Sequence, residues 1–431
     1  MQVNSFNDEL RQPAGLRWAM YANILLWGVQ LPFGAPALNV LVTLAAGLLH
    51  KTRHKRVPLS LILFSLCLLG YGVITFLAGP CTEGAIKVVI SLIVMILIFL
   101  SIYWLAANAR SDCPLLSTQE TTWLLVIITC AALVEYAARL LGGTPISEIR
   151  VGGVYLEPSH LALSGVPLFC YLFFCGTPVQ KWLGITAAFV LLVVGYSSTL
   201  IILLIAIVGL PYLGSLARRP MQRSGLLVLA GLVSAPLLVL MSPASEDTLL
   251  RITDTLDLRE ESNLSSLVYA NGWMMLDYYL NSTAGLGLGF NAMGCEPRAV
   301  TLVTGWLELL DLGDQNYNDG SFLLSKIGSE FGMVGVLGFI VMVGLSLKQL
   351  LGLLKHSLDA TAVVCTSWIA IVFVGGVVRS GGGYFSGPVL LGILAFFVLK
   401  QRKLSPSTED LPDLDKDVDG QVRYFATNKN E

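Results

Sequence analysis

Apolar runs of membrane-crossing length recur along the whole chain, and no other feature restricts the fold as much. Residues 88–107, "VVISLIVMILIFLSIYWLAA", hold no charged group. A helix needs about 20 such residues to cross a hydrocarbon core about 30 Å thick. The segments must be helical there, because lipid offers no partner to an open backbone amide or carbonyl. Twelve spans are expected, at 17–33, 36–50, 58–79, 85–107, 121–141, 158–177, 182–196, 199–215, 224–241, 322–347, 360–378 and 388–400. The first two also fit a re-entrant hairpin around "LPFGAP". Composition agrees, since the 431 residues are 55% hydrophobic and 13% charged, about half the charge of a soluble domain. The expected fold is an all-α polytopic membrane protein with one transmembrane domain over 1–403. Residues 404–431, polar and acidic, are expected to be a disordered cytoplasmic tail. Polar residues from Gln2 to Arg17 argue against a cleavable signal peptide.

Lysine and arginine orient such a bundle, because short cytoplasmic loops collect them. Arg11, Arg17, Lys51, Arg53, Lys55, Arg56, Arg110, Lys181, Arg218, Arg219, Arg223, Lys348, Lys355, Lys400, Arg402 and Lys403 all fall on alternate loops. That side is read as the cytoplasm, with both termini on it. The eight cysteines show no metal-binding or redox spacing. Cys81 and Cys295 are the two on the external side, where a disulfide between them is one option. No cofactor, metal or nucleic-acid partner is expected.

Two external loops stand out, 142–157 and the much longer 242–321. The second is too rich in Trp, Tyr, Leu and Met for a disordered linker. Within it, 263–281 (N-cap at Ser262) and 299–311 read as amphipathic helices. They fit a lid packed on the bundle, a surface groove for a lipid-linked substrate, or both.

Cations outside the cytoplasmic set ask for partners. Arg139, Arg150, Arg251, Arg259, Arg298 and Arg379 are of this kind. A guanidinium grips phosphate oxygens in bidentate fashion, which suits a lipid diphosphate at the outer leaflet. Pairing with nearby carboxylates such as Asp254, Asp257, Glu260 and Glu261 is the structural alternative. Lys87, Glu135, Lys326 and Glu330 sit inside spans near their external ends, where ionisable groups are costly. Glu135 and Arg139, like Lys326 and Glu330, are four apart, so each pair can be mutually satisfied on one helix face. Asp319 shares the face of Lys326 and Glu330. Either these groups neutralise one another or they line a polar external cavity. "GLGLGFNAMG" (285–294) follows no strand, so it is no nucleotide loop. Its glycines suit backbone amides approaching a phosphate, or a sharp turn.

"GGVYLEPSH" (152–160) puts acid and base at a membrane boundary. Pro158 suits the first position of a helix, which leaves Glu157 at its N-cap. A helix N-terminus stabilises a carboxylate, so capping alone would explain Glu157. It would not explain His160, three residues on and on nearly the same face, nor Arg150 seven residues before Glu157. Glu157 and His160 together form a patch capable of acid–base work.

"RVGGVYLEPSHLALSG" (150–165) resembles the segment R-x-x-G-x-x-x-E-P-S-x-x-A of Wzy-type O-antigen and exopolysaccharide polymerases, with Arg150, Gly153, Glu157, Pro158, Ser159 and Ala162 in the matching places. "STAGLGLGFNAMG" (282–294) is similar to the glycine stretch in that family's large periplasmic loop. "NDGSFLLSKIGSEFGMVGVLGFI" (318–340) resembles the start of the span that follows it, and Ser197–Ser198–Thr199 also fits. The resemblance implies a GT-C-like membrane glycosyltransferase in the bacterial inner membrane. Such an enzyme joins undecaprenyl-diphosphate-linked oligosaccharide repeat units at the periplasmic face, without metal or nucleotide sugar. It implies Glu157 or His160 as base near the acceptor hydroxyl, and Arg150, Arg251, Arg259 and Arg379 on the departing diphosphate. Asp319, Lys326 and Glu330 would line the cavity, and a chain-length regulator protein is a candidate partner. An O-antigen ligase-type transferase and a lipid-linked glycan flippase are the alternatives.

Overall fold

The computed structural model describes residues 12–28, 38–49, 57–78, 85–111, 113–144, 151–155, 157–195, 197–209, 264–294, 299–314, 316–352, 360–378 and 383–404. Arg150, Arg251, Arg259, Arg298, Arg379, Cys81, Cys295, Ser262, the "LPFGAP" connection, the 224–241 span and the tail from 405 lie outside them.

All regular structure among the described residues is helical. In chain order the helices are α1 (Ala14–Leu25), α2 (Leu38–Leu49), α3 (Leu59–Ala78), α4 (Ala85–Ala107), α5 (Thr118–Leu141), α6 (Pro158–Cys175) and α7 (Pro178–Gly195). Next come α8 (Ser198–Leu204, continued by a π turn Ile205–Gly209), α9 (Leu264–Ser282), α10 (Leu302–Leu309) and α11 (Leu323–Gly352). Then follow α12 (Ala360–Ala370, continued by a π turn Ile371–Gly375 and Gly376–Val378) and α13 (Gly387–Leu404). Among the described residues six segments are long and apolar enough to cross a membrane: Ile86–Ala107, Thr118–Leu141, Pro158–Cys175, Pro178–Gly195, Leu323–Leu351 and Ala360–Val378. This is a helical membrane protein.

α6 is the central helix, with 78% of its residues buried. It packs on α5, α7, α8 and α12, and its Leu161, Ala162, Val166, Cys170 and Leu172 belong to the main core. α1 and α2 have 12 residues each, about 18 Å of helix, well short of the hydrocarbon thickness. They pack together through Asn23, whose amide donates to Thr43 Oγ1 at 2.8 Å and whose Oδ1 accepts from Asn39 Nδ2 at 3.0 Å.

The two ends of the bundle differ. At one end Gln12 bonds the carbonyls of Arg110 and Cys113, and Arg402 bonds those of Ser111 and Cys113. Nearby, Ser117 caps α5 in a capping box with Glu120, which also binds Arg17 and the Tyr21 hydroxyl. At the other end the starts of α6 and α13 meet the end of α1.

α11 is broken. Gly332 has φ 60° and ψ −149°, outside helical geometry, within a segment of 30 residues. The glycine stretch fills the break: Leu288 N–H donates to Ser329 O and Gly289 N–H to Glu330 O, both at 2.9 Å, while Met333 N–H donates to Gly285 O at 2.9 Å. Tyr71 donates to Phe331 O at 2.7 Å and contacts Leu286 O. A Cβ at Gly332 would stand 2.0 Å from Gly285 O, so only glycine permits this backbone-on-backbone contact. The Ser329, Glu330 and Phe331 carbonyls at the break thereby gain donors from outside the helix, as a discontinuous helix in a membrane protein requires. The close approach foreseen for these glycines is made to α11, and the amides of Leu288 and Gly289 are committed to it.

α9 and α10 occupy the two amphipathic stretches, and α10 is capped by Thr301, which accepts from Thr304 N–H. They pack on each other through Leu267, Val268, Ala270, Val303 and Leu307. Asn271 Oδ1 accepts from Thr301 and Thr304. Leu302, Leu309 and Leu310 remain exposed.

Candidate functional site

The loop before α6 is held by Glu135. One of its carboxylate oxygens takes Arg139 at 2.6 Å and 2.9 Å; the other accepts Gly152 N–H at 3.0 Å and Gly153 N–H at 2.7 Å. The pair foreseen between Glu135 and Arg139 exists, with the loop as third partner. Gly153 has φ +67°, and a Cβ there would lie 3.2 Å from Ala132 N. Its side-chain-free backbone lets the chain seat against α5. Tyr155 is buried, bonds Ile24 O at 2.6 Å and packs on Trp27. Arg150 directly precedes this anchored stretch.

Glu157 is the N-cap of α6 and Pro158 its first residue, yet the Glu157 side chain makes no capping hydrogen bond. Its Oε2 accepts instead from Ser159 Oγ at 3.0 Å. Backbone geometry starts this helix without the carboxylate. One turn on, the His160 ring lies 4.7 Å from the Trp27 ring, and Trp27 Nε1 is fixed by Ser164 Oγ at 2.8 Å. Glu157 and His160 are both half-buried.

A second group of polar residues surrounds α11. Lys326 and Glu330 are 2% and 0% exposed and form an ion pair at 3.1 Å. Lys326 Nζ also donates to Asn318 O at 2.6 Å and lies 5.3 Å from the centre of the Tyr384 ring. Glu330 accepts Asn291 N–H at 2.7 Å and Met293 N–H at 3.2 Å. A carboxylate of the chain itself thus occupies the concavity formed by the glycine stretch. Lys87 donates to Met293 O at 3.2 Å and feels the charges of Lys326, Glu330 and Asp319. Asp319 Oδ1 would be 3.3 Å from a Cβ at Gly383. The charges foreseen as cavity-lining are therefore together, with Lys326 and Glu330 enclosed beneath Tyr384. Burial, reinforced by Glu330, holds the Tyr384 phenol well above its ordinary range, so it stays protonated as a donor. The Tyr384 hydroxyl faces Glu330, whereas the Ser321 and Ser329 hydroxyls are buried with no hydrogen-bond partner among the described residues. Such groups are rare in native proteins and ask for a polar visitor.

Residues 383–387 join the two groups. Tyr384 stacks on Phe290 at 4.9 Å beside Lys326, and Phe385 O accepts from Asn39 Nδ2 at 3.1 Å. A Cβ at Gly387 would be 2.7 Å from Trp27 Cδ1, and Trp27 touches His160. Trp27 and Tyr384 were not candidates from sequence; each sits far along the chain from the groups it meets, and no local spacing marks it. The four proposed diphosphate arginines, Arg150, Arg251, Arg259 and Arg379, all lie outside the described residues. Among the described residues no three His, Cys, Asp or Glu side chains converge in a way that could hold a metal ion.

Compared with protein-family models and with curated proteins, the chain matches none. Function has to be argued from the site itself.

Proposed function

We propose that the chain is a polysaccharide polymerase. It joins undecaprenyl-diphosphate-linked oligosaccharide repeat units at the periplasmic face of a bacterial inner membrane, with twelve spans, both termini cytoplasmic and 242–321 periplasmic. The observation that carries this reading is the Glu157 carboxylate, which stands at the start of a buried helix without capping it, with His160 following one turn on. A side chain with no capping duty, fixed at one end of a membrane bundle, suits proton transfer from an acceptor hydroxyl. In this reading Glu157 or His160 takes that proton while the donor glycan's bond to its diphosphate lipid breaks. Arg150, Arg251, Arg259 and Arg379 stabilise the charge that develops on the diphosphate. Lys326, Glu330 and Asp319 shape the floor beneath it.

The break in α11 favours a second reading, a lipid-linked glycan flippase, since transporters place ionisable groups at discontinuous helices. A deletion strain separates the two. A polymerase leaves single repeat units on external lipid; a flippase leaves them trapped on the cytoplasmic side.

Orientation has its own test. In a cysteine-free background, Thr144→Cys should react with a membrane-impermeant thiol reagent in intact cells, and Ser111→Cys only after permeabilisation. The reverse pattern would invert the topology and remove the periplasmic assignment.

A further inference from the structure

An apolar cavity of about 800 Å³ opens between α3 and α4 on one side and α11, α12 and α13 on the other, within the range of about 300–1,000 Å³ typical of small-ligand sites. Its wall follows α13 from Val389 to Gln401, a length of about 18 Å. This is close to one leaflet's share of the hydrocarbon core, about 15 Å. Phe64, Phe99, Phe373 and Phe396 line its length, whereas Ser60, Tyr103, Lys400 and Gln401 gather at one end. That end is the one where Arg402 and Gln12 tie the helix ends together. Water would find few partners along the aromatic stretch.

Two features at the polar end favour negative charge. Lys400 is exposed there, and the cavity also reaches Pro58 and Ser60 at the start of α3, a 20-residue helix whose N-terminus attracts anions. The inner wall includes Val372 and Phe373 of the π turn Ile371–Gly375, a local widening of the kind common at functional sites.

We infer that this cavity holds one acyl chain of an anionic phospholipid, its headgroup between Lys400 and the N-terminus of α3. The assignment depends on the membrane fold and not on the polymerase reading, because the cavity's polar end, where the headgroup is placed, lies at the opposite end of the bundle from Glu157 and no candidate site residue lines it. An anionic lipid bound here would fix α3, which packs mainly on α4, against the rest of the bundle.

The test is native mass spectrometry of the purified full chain supplied with phosphatidylglycerol or phosphatidylcholine. Wild type should retain one phosphatidylglycerol in preference to phosphatidylcholine. Lys400→Gln should cut that preference roughly fivefold, the weight of one cation beside an anionic headgroup. Ile393→Trp, which fills the slot, should abolish retention of both lipids. If Ile393→Trp does not fold, Phe64→Trp, at a half-exposed position, fills the same slot. Equal retention of both lipids by wild type, no effect of Lys400→Gln, retention unchanged in a folded filled variant, or displacement of phosphatidylglycerol by a polyprenyl phosphate would each overturn the assignment.

Discussion

Glu157→Gln should stop the joining of repeat units in cells while the protein reaches the membrane at its normal level. Glutamine keeps the size of the side chain and an oxygen for the Ser159 hydroxyl. The carboxylate makes no capping bond to α6, and even a true cap contributes only about 0.5–2 kcal/mol. Loss of a general base costs about 10²–10⁴-fold in rate, which would leave single units in place of long chains. His160→Ala separates the remaining roles. If the imidazole is the base, the loss is near-total; if it positions Glu157 against Trp27, the loss is partial. Chain-length analysis of lipid-linked glycans reads both variants, and normal chains in both would move the chemistry to the large loop.

The largest expected effect on stability is at the buried ion pair. Lys326→Met leaves Glu330 charged and enclosed, and breaking one side of such a pair costs about 3–5 kcal/mol. Glu330→Leu should cost more, because the Asn291 and Met293 amides lose their acceptor along with the ammonium. The double variant removes the unpaired charge but not the unpaired amides, so it should recover only part of the loss. Thermal unfolding in detergent supplies the cycle. Additive losses would show that the two side chains do not support each other.

Much of the fold can be read from sequence because lipid imposes a simple rule on apolar runs. The start of α6 at Pro158 and the extent of α4 at 85–107 follow from that rule and from helix-capping chemistry. The Glu135–Arg139 and Lys326–Glu330 pairs were legible for a similar reason, since four-residue spacing is local. What sequence could not supply is contact between distant segments. Glu135 also grips two amides 17 and 18 residues away, and Glu330 is seated in a loop some 40 residues earlier. The break at Gly332 was hidden because a single glycine in an apolar helix is usually tolerated. The "GLGLGFNAMG" stretch offered its amides to a phosphate on sequence grounds. In the fold the partners are carbonyls of α11 and the Glu330 carboxylate, which only tertiary packing brings within reach. Trp27 and Tyr384 escaped notice for the same reason: an aromatic in a membrane protein is unremarkable until its neighbours are known.

The central claim is that this chain itself lengthens lipid-linked glycans. Purified protein in liposomes, supplied only with undecaprenyl-diphosphate-linked repeat units, is the direct measurement. The account predicts glycans growing in whole-unit steps, one undecaprenyl diphosphate released per bond formed, with no growth for Glu157→Gln. Repeat units that stay single with correctly folded wild-type protein, whether or not they cross the bilayer, would contradict it.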